Sequence, residues 1–105
     1  MIAVDIEASG TEYEKHSIVS LGAIDLADPS RQFYEECRIW EGAHMMSEAM
    51  AVNGFSEAEV TDVTKKTEGQ LERLFLAWAW ETEDRTLAGQ NVSFDRDFLK
   101  AASAH

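Results

Sequence analysis

The sequence predicts an α/β layered domain, and three observations predict it. Short apolar runs of strand length occupy the first 40 residues. A capping-box signature followed by apolar residues at helical spacing marks a long helix after Thr67. The order of elements, three strands, then helices, a strand and a helix, is that of a sheet with helices layered against it.

Met1 to Ile6 is short, apolar and β-branched, and reads as a buried strand. Gly10 to Lys15 is polar and reads as a turn. Ser17 to Leu26 is a second strand with partial alternation. Ala27-Asp28-Pro29-Ser30 is a turn signal, because proline presets φ and Asp and Ser bond locally to backbone. Gln32 to Trp40 is a third strand, with Phe33, Cys37 and Ile39 on alternating positions. The short connection before it makes an antiparallel hairpin natural.

Ser47 reads as the N-cap of a short helix over Glu48 to Val52, which Asn53-Gly54 stops. Ser56 caps a further turn. Thr67-Glu68-Gly69-Gln70 opens the clearest helix, with Leu71, Leu74, Phe75 and Trp78 on one face and Glu81 to Asp84 at its end. Arg85 to Ala88 is a short strand. Gly89-Gln90 turns into a final helix from about Ser93.

At 105 residues and 45% hydrophobic content the chain has room for one domain with a modest core. Five Phe, three Trp and two Tyr exclude a solvated, disordered segment. Cys37 is the single cysteine, so no internal disulfide forms, which fits a reducing, cytoplasmic compartment. No signal peptide is visible, and no run approaches the ~20 apolar residues of a membrane span.

The charge is −11, from 20 Asp and Glu against 9 Lys and Arg. A protein that grips long nucleic acid by its phosphates presents a basic face. Such a face is absent, so any nucleic-acid contact is small and mediated by cations. Most of the surface acids simply keep the chain soluble.

Two acidic segments stand out against this background. In Asp5-Ile6-Glu7-Ala8-Ser9-Gly10, residues i and i+2 of a strand project to the same side, so Asp5 and Glu7 stand together opposite Val4 and Ile6. A divalent cation removes their repulsion, and hard oxygen donors suit Mg²⁺ or Mn²⁺. Gly10 allows a tight bend and close approach of a ligand. Asp-x-Glu is common, and on an edge strand it is usually a wet face; its place at the end of an apolar strand sets this one apart. In Asn91-Val92-Ser93-Phe94-Asp95-Arg96-Asp97-Phe98-Leu99, Phe94, Phe98 and Leu99 bury one helix face. Asp95 lies beside that face in the first turn, where the helix dipole welcomes a carboxylate. Asp97 is about 200° further round, so only one of the two acids faces a site. Asn91 either caps the helix or contacts a ligand or neighbouring loop.

These residues resemble the DnaQ-like, or DEDD, 3′–5′ exonucleases, a group that includes proofreading subunits, RNase T and oligoribonuclease. The first family motif is matched by Asp5 through Gly10. The second is matched by Asn91, Phe94-Asp95 and Phe98-Leu99. Ile18 through Ile24 resembles the family's second strand, and Ala49 through Ser56 the helix and loop before its long helix. The resemblance implies a ribonuclease H-like mixed sheet with flanking helices. It implies metal ligands at Asp5, Glu7 and Asp95, two bound Mg²⁺ or Mn²⁺ ions, and Ala8, Ser9, Gly10 and Asn91 near the terminal nucleotide. The implied partners are 3′ ends of single-stranded DNA or RNA, short oligonucleotides above all, with release of nucleoside 5′-monophosphates.

The family's third motif, a His base and a fourth Asp downstream of the second motif, has no counterpart. His105 follows Asp95 too closely, and His16 and His44 precede the second motif. Residues 1–105 are therefore expected to be a single exonuclease-like domain, incomplete at its C-terminus and weak or inactive alone. All three His read as surface or loop imidazoles. Trp78 reads as core. Trp80, off the apolar helix face, is free to cover a neighbouring element or a homodimer contact. The rival reading is a non-catalytic domain of the same fold that binds a protein partner through such features.

Overall fold

A computed structural model describes all residues, Met1–His105. The chain forms β1 (Ile2–Ala8), β2 (Ile18–Asp25), β3 (Asp28–Glu36), α1 (Ser47–Asn53), α2 (Glu57–Val60), α3 (Glu68–Trp80), β4 (Leu87–Ala88) and α4 (Val92–Ala102). The four strands make one mixed sheet in the order β3-β2-β1-β4. The pairs β1–β2 and β2–β3 are antiparallel, and β1–β4 is parallel.

The pleat of β1 divides the molecule. Ile2, Val4, Ile6 and Ala8 point to the helices and are buried, together with Ile18, Leu21 and Ala23 of β2. Leu71, Phe75 and Ala79 of α3 and Phe98, Leu99 and Ala102 of α4 close this core. Phe33 of β3 joins it edge-on to Phe75, with ring centres 5.7 Å apart. Arg31 ties β3 to the end of α3, donating to the Thr82 hydroxyl at 2.7 Å and to the Trp78 carbonyl at 3.0 Å. Ala3, Asp5 and Glu7 point to the opposite face of β1, Asp5 exposed and Ala3 and Glu7 half-buried.

Several element ends differ from the sequence expectation. β3 begins at Asp28, so Pro29 and Ser30 lie in the strand and only Leu26 and Ala27 turn. Proline is tolerated because β3 is an edge strand and one of its sides needs no donor. The same strand stops at Glu36 instead of Trp40. Beyond it the backbone leaves the sheet: the amides of Arg38 and Ile39 donate to the carbonyls of Lys66 and Val60. Ser47 is the first helical residue of α1 and not its cap; Met46 holds that position with no side-chain bond. Gly54 ends α1 at φ +77°, the left-handed geometry that favours glycine. Capping boxes at Ser56–Glu59 and Thr67–Gln70 start α2 and α3 as expected.

Leu74 is 41% exposed and does not join Leu71 and Phe75 in the core. The inward stripe of α3 is Glu68, Leu71, Glu72, Phe75 and Ala79, centred near Phe75. Leu74 lies about 100° from that centre. Trp78 sits at the stripe's edge, half-buried, and Trp80 is 72% exposed.

Candidate active site

Asp5 and Glu7 project from one face of β1, Asp5 exposed and Glu7 half-buried. Their cross-strand neighbours are Gly22 and Ser20, small residues that leave room above the carboxyls. Burial raises Glu7 above the usual carboxylate range, and so does the neighbouring Asp5 carboxyl. Tyr34, across from Gly22 on β3, donates to Glu36 at 2.7 Å. Burial chiefly, then that bond, pushes the Tyr34 phenol up to about 12.

Asp95 reaches the same region from α4. Asn91 caps that helix, its Oδ1 accepting from the Phe94 amide at 3.2 Å. The capping alternative for Asn91 is therefore realised, and Asn91 also lines the pocket beside Asp95. β4 ends at Ala88, so the edge of β1 beyond Ala3 lacks a strand partner and the start of α4 packs there. Gly89 permits this approach: a Cβ on it would lie 3.0 Å from the Val4 carbonyl and 3.2 Å from Asp95 Oδ2. Asp95 is 6% exposed. Its carboxyl is raised to about 6, by burial first, then by the charge of Asp5, then by that of Glu7. Asp97 is exposed on another side of the helix.

Asp5 and Asp95 thus line one open pocket of about 520 Å³, with Gly89, Asn91 and Phe94. Glu7 lines an adjoining pocket of about 320 Å³ with Ala8, Gly10 and Glu48, and Ile6 and Phe94 border both. The three acids act on one another electrostatically. No three His, Cys, Asp or Glu side chains are gathered tightly enough to hold a single ion between them. The donor set, carboxylate oxygens that repel one another, is chemically suited to hard divalent cations shared between pairs of acids.

Ser9, expected near a substrate, has another duty. Ser9 is fully buried, donates to the His44 carbonyl at 2.7 Å and accepts from the Ser17 amide at 3.0 Å. Its own backbone groups bond to Ser17 and Met46. Ser9 therefore braces the loop after β1 and offers nothing to a ligand. Gly10 is required by a side chain of the protein itself: a Cβ there would lie 2.2 Å from the His16 ring. His16 is buried, contrary to the expectation of a surface imidazole, whereas His44 and His105 are exposed.

Sequence reasoning missed Glu48 and Gly89. Glu48 comes beside Glu7 because Asn53 Nδ2 donates to the Ala8 carbonyl at 3.1 Å and docks α1 on the end of β1. Nothing local to Glu48 signals that. For Gly89, a glycine directly before an acid-bearing helix was the available sign.

No sequence model of a protein family matches the chain, and no curated protein matches it in sequence. Among solved structures it is similar to Pop2p of S. pombe in its Mg²⁺- and Mn²⁺-bound form, with a TM-score of 0.69 at 10% identity. The match covers 98% of this chain and 53% of the Pop2p chain, so the chain spans about half the length of that structure. No helix is long and apolar enough to cross a membrane. The four-stranded mixed sheet with its flanking helices is a ribonuclease H-like α/β fold.

Proposed function

We propose that the chain is the acid-bearing part of a metal-dependent 3′–5′ exonuclease that hydrolyses phosphodiester bonds at nucleic-acid 3′ ends and releases nucleoside 5′-monophosphates. The observation that carries this reading is the meeting of Asp95 with Asp5 at one pocket, from opposite ends of the sequence. A purely structural protein gains nothing by crowding Asp5 and Glu7 against Asp95 until the Asp95 carboxyl is raised.

On this reading Asp5, Glu7 and Asp95 hold Mg²⁺ or Mn²⁺ through their oxygens. When bound there, such ions polarise a phosphate and acidify a water. Ala8 and Gly10 form the wall against which the terminal nucleotide rests, and Asn91 steadies the helix that carries Asp95. Residues 1–105 offer no match for the family's general base and fourth carboxylate, so on this reading they alone cleave weakly or not at all. The net charge of −11 favours short single-stranded DNA or RNA over long duplex. The lone thiol of Cys37 suits the cytoplasm.

The test is cleavage of a 3′-labelled single-stranded oligonucleotide by the natural full-length protein while Mg²⁺ or Mn²⁺ is titrated. The expected result is metal-dependent release of labelled mononucleotide. Asp5→Asn reduces it on the order of 10²–10³-fold. Undiminished cleavage by Asp5→Asn overturns the proposal. Absence of any metal-dependent cleavage favours the second reading, a non-catalytic domain that binds a protein, which the exposed Trp80 supports.

A further inference from the structure

On the helix face, away from Asp5 and Glu7, α3 and α4 lie side by side with an open groove of about 640 Å³ between them. Its floor is carbon: Phe75, Leu76 and Ala79 from α3, Leu99 from α4 and Leu87 from β4. Leu76 is 52% exposed and Trp80, at one end, is 72% exposed. The rim is basic, formed by Arg85, Arg96 and Lys100. Glu72 is the one acid lining the groove, and it is 8% exposed.

This distribution stands out in a chain with only 9 basic residues against 20 acids. Lys15, Arg31, Lys65 and Lys66 pair with carboxylates elsewhere. Arg85, Arg96 and Lys100 enter no ion pair. Arg85 instead lies 4.2 Å from the centre of the Trp80 ring and donates to the Trp80 carbonyl at 2.6 Å. An exposed indole held by a cation and a backbone bond is a preorganised anchor, because little side-chain freedom is lost when a partner covers it.

We infer that this groove docks an acidic amphipathic helix of a protein partner, its apolar stripe on the Phe75–Leu99 floor and its Asp and Glu beside Arg85, Arg96 and Lys100. The fit is that of a helix laid in a hydrophobic groove with complementary charges at the rim. A second copy of the chain is disfavoured as occupant. A two-fold contact would bring the same three cations against themselves. Nucleic acid is disfavoured because three cations above a carbon floor, on a chain of −11, make no phosphate track.

The test uses a fluorescent synthetic peptide of about 14 residues, four helical turns, with Leu at i, i+3, i+4 and i+7 spacing and Glu elsewhere. Its binding to the full chain is read by anisotropy. Binding is expected to weaken as salt rises. It should fall about tenfold or more with Trp80→Ala and with the pair Arg96→Glu and Lys100→Glu. Arg73→Glu, on α3 but outside the groove, should leave it unchanged. Circular dichroism confirms that each variant is folded. The inference is overturned if the peptide does not bind, or if a peptide with Lys in place of Glu binds equally well. Displacement by a single-stranded oligonucleotide, or self-association abolished by Trp80→Ala, overturns it as well.

Discussion

The starts of α3 and α4 invite comparison, because each buries an acid in its first turn. Glu68 is 2% exposed and Asp95 is 6% exposed. Both carboxyls are raised, to about 7 and about 6. Their surroundings differ in kind. Burial raises Glu68, but the Ile18 amide at 2.6 Å and the Ser17 hydroxyl at 3.1 Å pull the other way by donating to Oε2. Around Asp95 every influence raises: burial, then Asp5, then Glu7. Glu68 is a strut between α3 and β2. Asp95 is a group whose charge the fold disfavours, and such placements cluster at sites of chemistry.

If that contrast is real, removing the two carboxyls has opposite effects on metal-free stability. Glu68→Ala leaves the fully buried Ile18 amide without an acceptor, while the Ser17 hydroxyl keeps the Ile18 carbonyl at 2.9 Å. The expected loss in urea unfolding is ~3 kcal/mol. Asp95→Asn removes a repelled charge and should leave stability unchanged or raise it by up to ~1 kcal/mol, because the Asp5 charge that repels it is exposed and screened by water. A loss from Asp95→Asn as large as that from Glu68→Ala would erase the distinction.

Titration sharpens it. Glu68 has its ordinary value of 4.5 in the unfolded chain and about 7 when folded. The folded state therefore binds more protons between those values, and stability falls as pH rises through the window. Below about 4.5 the contribution is complete; above about 7 it is gone. A full difference of this size corresponds to ~3 kcal/mol as an upper bound. Unfolding of the native chain should thus depend on pH across 4.5 to 7 more steeply than unfolding of Glu68→Gln. Parallel profiles would mean that Glu68 stays ionised in its cradle.

Metal addition separates the two acids again. Mg²⁺ or Mn²⁺ should raise the Tm of the native chain and leave that of Asp95→Asn unmoved, with a ceiling of about 2.7 kcal/mol at a hundredfold excess over Kd. Glu68→Gln should respond like the native chain.

What the sequence disclosed follows from how local each feature is. The caps at Ser56 and Thr67 and the left-handed Gly54 involve residues within one turn, so their residue types announce them. Asp5 and Glu7 share a face because a strand has period two. The meeting of Asp95 with Asp5 came only through resemblance to a family, since nothing in 89 intervening residues states it. Long-range contacts were invisible. The end of β3 is set by backbone bonds to Lys66 and Val60, the need for Gly10 by the His16 ring, and the burial of Ser9 by His44 and Ser17. Nothing in the sequence signals the burial of Glu68, because an acid at a helix start is ordinarily a wet one. Leu74 was read inward because an apolar residue at i+3 or i+4 satisfies the same periodicity, and only packing decides between them.

The smallest expected effect is also the most direct measure of the contrast. Asp5→Asn removes the second largest influence on Asp95 and should lower the Asp95 pKa, seen in its carboxyl carbon shift by NMR titration without metal. Glu7→Gln should lower it less, because Glu7 ranks behind Asp5. Neither change should move Glu68, whose shift owes nothing to another carboxylate. The energies are about 1 kcal/mol or less, because these charges face solvent. An Asp95 titration indifferent to Asp5→Asn would mean that burial alone raises it. The two helix starts would then be the same device twice, and the case for a shared cation between β1 and α4 would lose its electrostatic basis.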